Sequence, residues 1–196
     1  LNFYFEHEAD THCLIITDSN SHFKTHSNPF YQSLTLYPPE QRMPEYAEYL
    51  EHFHPTQSLV VSQSLVTDYQ FKSPSTALMG HDSHPWDTAH NQLQRYEWAQ
   101  GRRADEAGLG TLAANLAQSY HQQGLRAYGQ GQLKGLQVGR SFRLQGHPQT
   151  DSNIDWLILS MQMTIKALDA DKQVQQYYTA DTRFSAQPLT QTLKRD

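Results

Sequence analysis

The densest run of side chains able to do chemistry is His81-Asp82-Ser83-His84-Pro85-Trp86-Asp87-Thr88-Ala89-His90, with three His and two Asp in ten residues. Neutral imidazole and carboxylate are ligands suited to zinc, so a metal-dependent hydrolase is the chemistry to weigh first. The spacing argues against it. A zinc-peptidase helix needs two His four apart on one face, whereas His81 and His84 are three apart and Pro85 keeps the segment from being helical. A solvated loop is the expected reading. His7-Glu8-Ala9-Asp10-Thr11-His12 approaches H-E-x-x-H, but its second His comes one residue late and a hairpin turn lies between the two. Gly129-Gln130-Gly131 begins like a dinucleotide loop, yet position 134 is Lys134 instead of Gly and the segment follows a helix. The glycines are expected to permit bends in strands. Cys13 sits in a mostly apolar run and is expected to be a packed thiol. Glu45, Glu48 and Glu51, beside His52 and His54, would form a solvated acidic edge if helical. No catalytic, cofactor-binding or metal-binding residue is assigned, and no cofactor is expected.

The elements that must position these groups are mostly short strands. Phe3-Tyr4-Phe5 and His12 to Thr17 are aromatic and β-branched runs around a polar turn, the pattern of a hairpin. Residues 19–30 are rich in Ser and Asn and contain Pro29, which predicts an exposed linker and a domain boundary near residue 25. Ser33 to Tyr37 reads as a strand stopped by Pro38-Pro39; Pro44 to Phe53 could form one or two helical turns, and is left open because the family resemblance described below implies a strand there. Gln57 to Tyr69 reads as two short strands or one bulged strand. Val66 to Phe71 is expected to be a barrel strand with Tyr69 and Phe71 inward. Gly80 to Gln92 is expected to be a loop leading to a strand at Leu93–Trp98. One helix is clear over residues 104–123: Leu109, Leu112, Ala113, Leu116, Ala117 and Tyr120 form an apolar stripe, with Gly124 at the position of a C′ glycine. Leu125 to Leu144 reads as short bent strands, and Trp156 to Ile165 as a strand apolar on both faces at its start.

About eight to ten strands and one helix make the fold class mainly β, a barrel or sandwich instead of a parallel α/β sheet. The 196 residues suffice for a core, although hydrophobic residues are only 37%. Fifteen Lys and Arg against 20 Asp and Glu leave a net charge of −5, which argues against capture by nucleic acid or an anionic membrane. Protonating all 11 His would carry −5 to +6, a hint of pH sensitivity. A lone cysteine forms no internal disulfide. No run approaches the roughly 20 apolar residues of a membrane span, and no signal peptide is legible. Leu1 begins what reads as a strand in progress, so a fragment is expected.

Four segments in order resemble one known family. Phe3-Tyr4-Phe5-Glu6-His7-Glu8 followed by His12 to Asp18, Val66-Thr67-Asp68-Tyr69-Gln70-Phe71-Lys72-Ser73-Pro74, Arg95-Tyr96-Glu97, and Leu136 to Pro148 with its Gly139 and Gly146-His147-Pro148 are similar to the signature of the VgrG (valine-glycine repeat protein G) spike proteins of type VI secretion. Trp98-Ala99-Gln100 departs from the Pro-Gly usual after the third segment. The resemblance implies part of a hub similar to that of the phage tail baseplate, built of antiparallel β-barrels with small inserted domains. Residues 1–27 would end a small inserted α/β domain, and residues 28–196 would form the second hub barrel with the helix inserted. It implies a homotrimer in the full-length chain, contacts with the hexameric inner-tube protein (Hcp), baseplate and effector proteins, no nucleic acid, and no enzyme activity. Assembly in the bacterial cytoplasm would precede secretion or injection. Two rival readings are a metal-dependent hydrolase using His81–His90 and a β-barrel carbohydrate-binding module with a groove lined by Trp86, Trp98 and Tyr96.

Overall fold

The computed structural model describes residues 2–8, 10–37, 47–101, 105–167, 178–191 and 193; Pro38, Pro39, Pro44, Glu45 and Ala104, invoked above, lie outside the described residues. In chain order the elements are β1 (Asn2–His7), β2 (His12–Thr17), β3 (Lys24–Thr25), α1 (Pro29–Gln32), β4 (Ser33–Thr35), β5 (Tyr49–Gln57), β6 (Gln63–Asp68), β7 (Leu78–Ser83), β8 (Gln94–Trp98), α2 (Glu106–Gln122), β9 (Leu125–Gln132), β10 (Arg140–Gln145), β11 (Asp155–Ala167) and β12 (Tyr178–Pro188). The fold is mainly β. Two compact units share the chain: Gln57–Gly124 is inserted in sequence within a larger unit of Asn2–Thr56 and Leu125–Gln191.

The larger unit is a seven-stranded sheet in the order β3-β10-β11-β12-β9-β5, with β4 also on β10. It curls: beyond β4 the chain makes a parallel bridge from Leu36 to Leu50 at the start of β5, with Tyr37 N donating to Leu50 O at 2.9 Å. Most pairings are antiparallel, but β3 and β4 lie parallel to β10. The expected linker over residues 19–30 is therefore ordered, because the free edge of β10 takes up its backbone hydrogen bonds, as buried peptide groups require. Asn28 Oδ1 accepts from Phe30 N at 3.0 Å and Pro29 opens α1, a favoured start for a helix. The segment left open between helix and strand is a strand from Tyr49 onward. No sequence signal marked β12: of its inward residues Ala180, Thr182, Phe184 and Ala186 only Phe184 is large and apolar, too little to announce a core face.

Phe53 on β5 sits at the centre of the core, with its ring edge-on to Phe142 of β10 (6.2 Å) and Trp156 of β11 (5.1 Å) and tilted against Phe184 of β12 (6.3 Å). Such aromatic geometry adds to the area buried. Gly129 and Gly131 are glycines for space: a Cβ on Gly129 would meet the Phe184 ring, and one on Gly131 the backbone of Tyr49.

The inserted unit is a three-stranded sheet, β7-β6-β8, with α2 packed on one face. Asp105 caps α2 by accepting from Gly108 N at 3.0 Å, and Leu109, Ala113, Ala117 and Tyr120 are buried, as the stripe predicts. Three expectations are corrected. Residues Gly80 to Ser83 are strand, not loop, because β7 pairs along β6. Residues 58–62 are irregular, which leaves β6 as the single strand of that stretch. The 66–71 segment is not a barrel strand, and its faces are inverted. Ser64, Val66 and Asp68 face inward, whereas Tyr69 and Phe71 lie past the strand end, 58% and 76% exposed. Gly124 follows α2 without a left-handed backbone; it is glycine because the Trp86 indole lies where its Cβ would be, 2.6 Å away.

Two stability measurements follow. Phe53→Ala should cost about 3–5 kcal/mol in chemical denaturation, because four strands meet on that ring; a loss under about 1 kcal/mol would show that the core repacks. Gln100 holds φ 57, the left-handed region disfavoured for a side chain. Gln100→Gly should stabilise by about 0.5–1 kcal/mol after the added freedom of the unfolded chain is subtracted.

Candidate functional site

The histidine-rich segment does not converge. His81 lies in β7 opposite Leu65 and is exposed. His84 N donates to Ser62 O at 2.8 Å and its ring lies 3.3 Å from Asp82 Oδ2, while the exposed His90 lies beside a separate cleft with Trp86. Among the described residues no three His, Cys, Asp or Glu side chains gather as a metal site. His7 and His12 do meet: they are paired across the hairpin with their Nδ1 atoms 2.7 Å apart, a contact that the failed motif spacing had hidden. The cross-strand register, not the helical one, brings them together.

Cys13 is exposed opposite Glu6, correcting the expectation of a packed thiol; its strand is half of a two-stranded hairpin and leaves that position uncovered. Of the three residues of the conditional acidic edge, Glu45 lies outside the described residues and the other two are not on a helix. Glu48 precedes a strand and accepts from Lys134 N and Tyr31 OH, and Glu51 lies 3.7 Å from His52. His52 and His54 stack at 5.9 Å beside a groove of about 420 Å³ over β5, β9, β12 and β11. Trp86 stacks on His121 at 4.4 Å, whereas Tyr96 and Trp98 project from the sheet face opposite α2, so the three do not line one groove.

The signature segments instead tie the fold together. Tyr4 is buried on Gly139, whose φ of 78 and missing Cβ both fit glycine: a Cβ would stand 2.5 Å from the Tyr4 ring. Beside it Glu6 pairs with Arg140 at 3.0 Å. Asp68 Oδ1 accepts from Tyr69 N and Gly101 N, both at 2.8 Å. Glu97 accepts from Tyr120 OH at 2.6 Å and from Arg95 at 2.9 Å. His147 N donates to Asn153 Oδ1, Asn153 Nδ2 returns a bond to His147 O, and His147 Nε2 donates to Phe53 O at 3.2 Å.

A family model described as the phage tail baseplate hub (GPD) matches residues 1–168. The chain belongs to the baseplate hub family. Among its relatives, the type VI secretion system spike proteins VgrG1b and VgrG1a of Pseudomonas aeruginosa are 25% identical over 167 residues and 24% over 168. The chain spans only 22% and 25% of their lengths, and 83% of this chain is covered in each case. Two solved tail proteins share the fold. The 43 kDa tail protein of prophage MuSo2 from Shewanella oneidensis has a TM-score of 0.56 at 9% identity, covering 87% of this chain and 47% of that one. The tail protein of Neisseria meningitidis MC58 has a TM-score of 0.53 at 11% identity, covering 97% and 52%.

In this hub chain the surfaces suited to assembly are apolar sheet faces. On the hairpin, Phe3 pairs with Ile16 and Phe5 with Leu14, all about half exposed or more. On the inserted unit, Met79, Tyr96 and Trp98 project from the sheet face opposite α2, rich in the aromatic and Met residues typical of interface cores.

His26 ties β3 to the turn before β10. Its Nε2 donates to Gly135 O at 2.8 Å and its Nδ1 accepts from Asn28 N at 3.1 Å, so the fold holds the neutral ring. Burial, the largest cause, lowers its pKa. An unfolded His titrates near about 6.5 and takes up its proton first, so stability is full above that value and falls as pH drops from there toward the lowered folded pKa. Urea denaturation from pH 7.5 to 5 should show that loss, and His26→Gln should flatten the curve. Equal slopes in both proteins would remove His26 from the acid response.

Proposed function

We propose that the chain is a structural part of a type VI secretion spike, within a trimeric hub between the inner tube and the needle. The observation that carries this reading is that the signature segments, far apart in sequence, spend their polar groups on one another and on the backbone. Tyr4 and Glu6 engage Gly139 and Arg140, and Asp68, Glu97 and His147 act as caps and clamps. Such residues hold a scaffold. Membership of the hub family and the names of the Pseudomonas relatives support the same role. In this reading residues 1–27 end an inserted α/β domain and 28–196 belong to the second hub barrel. The partners are the hexameric inner-tube protein (Hcp), baseplate components and effectors, met in the bacterial cytoplasm before secretion or injection. No catalysis is assigned to the chain.

A full-length protein carrying hub and needle should sediment as a homotrimer and support export of the inner-tube protein; Gly139→Val, which breaks the Tyr4 tie, should lower export in step with lost thermal stability. This chain alone should be monomeric or weakly associated at micromolar concentration, because the area needed to offset association entropy is missing. A stable trimer of the chain at low salt and sub-micromolar concentration would overturn the dependence on the needle. A monomeric full-length protein would overturn the hub reading itself.

A further inference from the structure

We propose that the inserted unit carries a binding site for an uncharged saccharide in the cleft beside Trp86. The cleft has a volume of about 300 Å³, at the small end of ligand sites, and room for one or two pyranose rings. The indole is held before any ligand arrives. It stacks on His121 at 4.4 Å with an interplanar angle of 12°, its Nε1 donates to His121 O at 3.2 Å, and Gly124 leaves it space. His121 is itself fixed, donating from Nδ1 to His84 O at 2.9 Å. A side chain anchored by so many contacts, yet still lining a cleft, loses little entropy on binding.

The rest of the lining selects the chemistry. Gln57, Ser58, Thr88 and Asn91 bring carboxamides and hydroxyls that both donate and accept, the complement of a sugar hydroxyl. The polarised C–H face of a pyranose fits the negative face of an indole. Among the described residues the lining contains no Lys, Arg, Asp or Glu, and His90 is its one side chain able to take a charge, so the cleft offers no fixed charge to a phosphate or an ammonium. A purely aliphatic ligand would leave the polar rim unpaired, which costs free energy. Leu59 and Val60 add an apolar edge for ring carbons or an acetamido methyl. This inference stands on the cleft alone and does not depend on the spike reading. It also separates Trp86 from the exposed Trp98, which lies on another surface.

The test is a titration of the purified chain at pH 7.5 with chitobiose, cellobiose and glucose 6-phosphate, followed through the indole N–H signals in two-dimensional NMR. The expected result is saturable movement of the Trp86 signal by a neutral disaccharide, with Kd of about 1 mM, and none by the phosphorylated sugar. Trp86→Ala should weaken binding at least about tenfold, and Trp98→Ala should leave it unchanged. Because Trp86→Ala removes a packed ring, Thr88→Val serves as the gentler variant and should weaken binding about threefold or more with an unaltered melting temperature. The proposal is overturned by an unmoved Trp86 signal with both neutral sugars at tens of millimolar. Preference for the phosphorylated sugar overturns it too, as does binding that survives Trp86→Ala and Thr88→Val or fails on Trp98→Ala.

Discussion

The packing around Phe53 is the constraint on which the larger unit depends. Its ring comes from β5, at one end of the sheet order, and touches Phe142 from β10 near the other end, with Trp156 and Phe184 between. A flat sheet could not bring the Phe53 and Phe142 rings within 6.2 Å, so the aromatic cluster and the curl require each other. The Leu36–Leu50 bridge is where the backbone completes that contact. The glycines of β9 follow from the same demand, because the Phe184 ring and the β5 backbone occupy the space that side chains would need.

Two histidines serve as two-sided hydrogen-bonding groups. His26 and His147 each donate from Nε2 to a backbone carbonyl and accept at Nδ1 from a backbone N–H. Such a ring joins two segments that no ladder connects, and it fails when protonated, since Nδ1 then has no lone pair to offer. His26, whose pKa burial lowers, makes the fold acid-sensitive in this way. His121 plays a related part in the inserted unit, where it supports the indole of Trp86.

Membership of the baseplate hub family puts these devices in a mechanical setting. A hub must keep its shape under load, and ties such as Tyr4 on Gly139 and Glu6 on Arg140 join the hairpin to a strand more than 130 residues away in sequence. The exposed apolar rows on β1-β2 and on the β7-β6-β8 sheet stand beside those ties as contiguous apolar surface of the kind that marks interaction sites.

Much of this was legible in local pattern. The hairpin, the α2 stripe with its buried Leu109 and Ala113, and the doubly apolar start of β11 rest on periodicity, which is set by backbone geometry wherever one face is buried. The order of the signature segments was legible too, because each keeps the residues its tie demands. What tertiary structure alone decided was pairing and facing. The polar run at residues 19–30 became ordered only because β10 offered it an edge, and β12 took its place on pairing, its single large inward residue, Phe184, giving too weak a local signal. The inward face of β6 was inverted because α2 covers the Val66 side and leaves Tyr69 and Phe71 outside. His7 met His12 while His81, His84 and His90 stayed apart because side chains meet by cross-strand register, which sets His7 opposite His12 in the hairpin, whereas of the other three only His81 lies on a paired strand.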